Sequence, residues 1–183
     1  MIFSFCFSLE LSAQLIEPFD IRYVTSQKGG ITMLSNVSVY CGSSGGCTSA
    51  LAQVPPSGTS SNENFSMSYI DIDGLSSTFM SSSDSLNLDA CSEISWAGLY
   101  WSAEINAGVP GFNTRNTVKL AVNSGIYQSL IADEMVDAFG ISHPSYHCFK
   151  DITSIVQSAG VKARFTIADI TTQTGNNKFG GWT

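Results

Sequence analysis

The run Ile94-Ser-Trp-Ala-Gly-Leu-Tyr-Trp-Ser-Ala103 is the most apolar and aromatic stretch of the chain outside its extreme N-terminus. Read with a period of two, it puts Ile94, Trp96 and Tyr100 on one face and Ala97, Leu99, Trp101 and Ala103 on the other. Neither face suits water. The run therefore predicts a central strand covered above and below, with Ile94, Trp96, Leu99, Tyr100 and Trp101 as core residues.

A chain of 183 residues is long enough to bury a core around such a strand without external staples. Only 13% of the residues are charged and 16 are glycine, with Ser, Thr and Asn abundant. A helical protein would carry more Ala, Glu and Lys, so the balance points to strands and turns. Phe19–Val24, Ile31–Tyr40, Phe65–Ile72, Leu86 with Leu88, Thr117–Val122, Ile126–Ile131 and Ala163–Ile170 read as strands, with Asn123-Ser-Gly125 turning a hairpin. Phe79 is expected to anchor the hydroxyl-rich Ser76–Ser83. Asp133–Phe139 reads as a helical turn, and Asp151–Ser158 as a short helix capped by Asp151 and ended by Gly160. Residues 42–64, rich in Ser, Gly and Pro, read as a flexible loop carrying no core. Together these predict an all-β, jelly-roll-like antiparallel β-sandwich with one or two short helices, spanning residues 14–183 as a single domain.

Residues 1–13 read as a signal peptide with an atypical start. Ile2 to Leu11 is largely apolar and Leu11-Ser-Ala13 ends in small residues, but no Lys or Arg precedes the run and Glu10 interrupts it. No later stretch approaches roughly 18 uninterrupted apolar residues, so no membrane span is expected. Cysteine usage agrees with export. Setting Cys6 aside leaves Cys41, Cys47, Cys91 and Cys148, which allow three pairings; the Gly-rich loop between the first two favours Cys41–Cys47, and hence Cys91–Cys148.

Five blocks carry a resemblance: Tyr69-Ile-Asp-Ile-Asp-Gly74, Ser76-Ser-Thr-Phe-Met-Ser-Ser-Ser83, Cys91-Ser-Glu-Ile-Ser-Trp-Ala-Gly-Leu-Tyr-Trp101, Tyr146-His-Cys-Phe-Lys-Asp-Ile-Thr-Ser-Ile-Val156 and Phe179-Gly-Gly-Trp182. In this order they resemble the N-terminal region of large Bacteroidetes surface proteins, adhesin-like or gliding-motility-associated, that the type IX secretion system exports. The resemblance spans Phe19 to Thr183. It implies a secreted or outer-surface, non-catalytic module, structural or adhesive, whose partners are other domains of one long polypeptide and surface glycans or proteins. In such proteins the Gly-Gly-Trp block runs on into an apolar strand, so it also implies a domain cut short at Thr183. It supplies no catalytic residue.

Chemistry in the residues themselves is sparse. The net charge is -7 and the eight Lys and Arg are scattered, which gives no footprint for nucleic acid. Gly42-Ser-Ser-Gly-Gly46 matches a nucleophile elbow in letters only, since that motif needs a strand before it and a helix after it. His143 and His147 are separated by Pro144, which disfavours the helix that would bring them to one face. Asp71 and Asp73 before Gly74 resemble the start of a calcium loop without its later ligands, and a polar strand end entering a turn is the favoured account. No other cofactor is expected. Trp96, Tyr100 and Trp101 could form a sugar-binding platform, the feature of a glycan-binding module or carbohydrate-active enzyme, but core packing is favoured.

Overall fold

The computed structural model describes residues 20–42, 45–52, 64–138 and 144–183. The signal peptide read over 1–13, much of the loop read over 42–64, and His143 lie outside the described residues. In chain order the strands are β1 (Asn36–Val37), β2 (Val39–Tyr40), β3 (Ser66–Tyr69), β4 (Ser81–Asn87), β5 (Gly98–Glu104), β6 (Thr117–Val122), β7 (Gln128–Ile131), β8 (Glu134–Ala138), β9 (Ser145–Asp151), β10 (Lys162–Ala168), β11 (Gly175–Asn176) and β12 (Gly180–Trp182). Two short helices join them, α1 (Cys47–Leu51) and α2 (Thr153–Ala159). All strand pairs are antiparallel, which establishes the all-β sandwich.

Two sheets face one another. One runs β1-β12-β5-β9-β8, the other β4-β10-β6-β7. Alternation decides what lies between them. Leu99, Trp101 and Ala103 of β5 and Tyr146 and Cys148 of β9 point inward from the first sheet; Val118 and Leu120 of β6 and Phe165 and Ile167 of β10 meet them from the second. The two buried indoles find acceptors, as buried Trp N–H groups must: Trp101 Nε1 donates to the Arg115 carbonyl at 3.1 Å, and Trp182 Nε1 to Ser82 Oγ at 2.9 Å. This is why a serine sits on the inner face of β4.

A smaller sheet, β11-β3-β2, holds a second core of Val39, Cys41, Cys47, Phe65 and Met67, and Tyr69 packs against both cores. Cys41 and Cys47 are disulfide-bonded, as expected. Three expectations about elements need correction. Asp133–Phe139 supplies strand β8, because Glu134–Ala138 pairs with β9 in register. Part of the loop read over 42–64 is helical, and Cys47 is buried in the small core. Residues 20–35 form no strand; they lie along the sandwich until β1 begins.

Candidate functional site

The alternation of β5 leaves Tyr100 facing away from the core, 39% exposed. Strand pairing then builds a row around it. Phe149 of β9 lies opposite Tyr100, and Glu134 of β8 lies opposite Phe149. Before β5 the chain passes through Ile94–Ala97, and Trp96 folds over Gly98. A Cβ on Gly98 would come within 2.6 Å of the Trp96 ring and 2.9 Å of Phe149, so the ring needs glycine beneath it.

Residues 20–27 cross the same face. Tyr23 stacks on Trp96 with centroids 5.9 Å apart and planes 12° from parallel. Arg22 lies 4.8 Å above the Phe149 ring and forms an ion pair with Glu134, while Gln27 Nε2 donates to Ser95 Oγ at 2.8 Å. The outcome is a row, Tyr23–Trp96–Phe149–Tyr100, whose later centroids are 6.2 and 5.0 Å apart. Tyr23 is 43% exposed and Trp96 is half-buried, whereas Phe149 is buried beneath its neighbours.

The ends of β8 and β9 carry a polar cluster. Lys150 Nζ donates to Asp133 Oδ1 at 2.5 Å, and Asp151 accepts the Thr153 backbone N–H at 2.9 Å. The Lys150 hydrogen bond and the Asp151 N–H hold the Asp133 carboxyl below its ordinary range. Asp151 is also held low, by the Thr153 backbone and hydroxyl first and by the Trp96 indole to a lesser degree. Rings laid side by side on the outer face of the sheet can adsorb the flat face of a ligand.

The core expected at the opening run is thus divided. Leu99 and Trp101 are buried and Ile94 packs against the core from the edge, but Trp96 and Tyr100 belong to the outer face. The run is apolar on both sides because its outer face carries the segment 20–27 in place of a second sheet. Tyr23, Arg22 and Phe149 were not foreseen. The signal available was Gly98 set between two aromatics of the same phase.

Asp71 and Asp73 serve a turn. Asp71 Oδ1 accepts from Gly74 N–H and Ser81 Oγ, both near 3 Å, and Asp73 Oδ1 accepts from Leu75 N–H at 2.8 Å and Thr78 Oγ1 at 3.0 Å. Tyr127 donates to Asp73 Oδ2 at 2.5 Å. Burial alone would raise the Asp73 carboxyl, but hydrogen bonds from Tyr127, Leu75 and Thr78 outweigh it and hold it low. Among the described residues no three His, Cys, Asp or Glu side chains come together as a metal-binding group. Nearby, an open cleft of about 500 Å³ is lined by Tyr69, Phe79, Lys119, Asp169 and Thr171. Phe79 itself is 45% exposed there, and the fully buried Met80 anchors the hydroxyl-rich segment in its place.

The Cys91–Cys148 pairing is also corrected. Cys91 is an exposed free thiol in the turn before β5, whereas Cys148 points into the core opposite Trp101. Burial first, and the Asp137 charge second, push the Cys148 thiol up to about 12. His147 is exposed on the outer face of β9. No described helix is long and apolar enough to cross a membrane. Comparison with family models, with curated proteins and with solved structures finds no match to this chain.

Proposed function

We propose that this chain is a non-catalytic extracellular module of a secreted or surface-attached bacterial protein, adhesive or structural in role. The observation that carries the proposal is the aromatic row on the outer face of a closely packed sandwich, whose water-facing rings offer a partner an open contact surface. The Cys41–Cys47 disulfide supports an oxidising compartment. The ordered resemblance to Bacteroidetes surface proteins supports the setting, the type IX export route and the place of the module within a longer polypeptide.

A second reading, a glycan-binding module or a domain of a carbohydrate-active enzyme, is favoured by the outward Trp96 and Tyr100. Its enzymatic form needs two carboxyl groups facing across a sugar. Asp71 and Asp73, two residues apart, have their oxygens engaged in one turn. Surface digestion tests the proposal: protease added to intact producing cells should remove the module from an immunoblot, and full protection until lysis would refute an outer-surface location.

A further inference from the structure

We propose that the outer aromatic row, with Tyr23, Trp96 and Tyr100 as its contact rings, is a binding platform for a neutral glycan. This rests on the adhesive reading and names the ligand class. A pyranose presents weakly positive C–H groups on one face and hydroxyls around its edge. Aromatic faces carry the complementary negative quadrupole, and three of the four rings in this row remain partly open to solvent. The hydroxyl edge needs donors and acceptors together, because each hydroxyl is both. Arg22 supplies donors, and Glu134, opposite Phe149, and Asp151, opposite Gly98, supply acceptors.

Charge narrows the class. Arg22 at the row is paired with Glu134, and the whole chain carries -7. A polyanion would meet a paired cation on an acidic protein, whereas an uncharged chain of sugars meets no such barrier. Shape narrows it further. The row is an open surface of partly exposed rings, and two clefts of about 500 and 400 Å³ lie away from it, one beside Phe79 and Lys119, the other beside Gln128 and Ile155. The row is also pre-organised, since Phe149 beneath and Gly98 under the Trp96 ring hold the platform before any ligand arrives.

Of the three tryptophans only Trp96 is not buried, so intrinsic fluorescence reports on this site. Titrating the protein with cellohexaose, laminarihexaose and mannohexaose, followed by fluorescence and by calorimetry, should give a saturable change with at least one of them. Trp96→Ala and Tyr100→Ala should each weaken that binding about tenfold or abolish it, while Phe79→Ala in the separate cleft leaves it within about twofold. Circular dichroism checks that each variant folds; if Trp96→Ala does not, Tyr100→Ala carries the test, because its ring lies outside the core. Silence with all three sugars overturns the proposal, as does binding that survives both row substitutions or depends on Phe79. Binding by a protein absent from the cell surface would remove the module reading and leave this inference standing. A surface protein blind to the sugars would do the reverse.

Discussion

Gly98 sets the position of Trp96 by having no side chain. Replacing it with valine puts carbon where the indole lies, at a separation no real Cβ tolerates, so the ring must lift. Acrylamide quenching of tryptophan emission should then rise above that of the wild type, and unchanged quenching would show that Trp96 is held by something else. Trp101 is the opposite case. It is 1% exposed, and its N–H is satisfied by the Arg115 carbonyl. Trp101→Ala removes a large buried ring and leaves a cavity, so chemical denaturation should show a loss of about 3–5 kcal/mol. Two aromatics five positions apart in one run thus differ in what they do, because one belongs to the inward phase of β5 and the other precedes the strand.

At the scale of elements, the start of α2 joins the strands through charge. Asp151 accepts from the Thr153 N–H, and Asp133 accepts from both Lys150 and the Asp151 N–H. Both carboxyls are depressed in the folded state. Their contribution is therefore present above the ordinary carboxylate pKa of about 4 and is lost as pH falls through the lower folded values. Thermal melts from pH 6 down to 3 should fall less steeply for Asp151→Asn than for the wild type; identical acid limbs would remove the contribution. This helix was legible in advance from the spacing of Ile152, Ile155 and Val156 and from Gly160 at its end, but it starts at Thr153 with Ile152 in the cap position, so the expected cap by Asp151 is not made. Also legible were β6 with its turn into β7, and the Cys41–Cys47 bridge. Residues 134–138 were not legible, because a strand with half-buried residues on both faces lacks the alternation that marks one. The aromatic row was invisible for a related reason. Period two sorts side chains into two faces but does not say which face another sheet will cover, and the partners Tyr23 and Phe149 lie far from Trp96 in sequence.

Across the whole molecule, the small core of Val39, Cys41, Cys47, Phe65 and Met67 is tied by a disulfide spanning six positions, while the main core, where Cys148 is a free thiol, is not. Reduction should therefore act on one part. Closing so short a loop stabilises by about 2 kcal/mol, so a reductant should advance melting of the β2–β3–β11 sheet ahead of the sandwich. Hydrogen exchange would show faster amides in that sheet alone, and equal acceleration in β5 and β6 would mean the two cores unfold together. Sheet order has a further consequence. Asn36 pairs with Trp182 and Val37 with Gly181, and β12 fills the space between β1 and β5. Until residue 182 has emerged, Gly98–Glu104 has β9 on one side and an empty row of N–H and C=O groups on the other. Pairings of such long sequence separation form late and slowly. The centre of the sheet thus works as a clasp, closing only when the whole length from 36 to 182 stands on the same side of the tunnel or channel it came through.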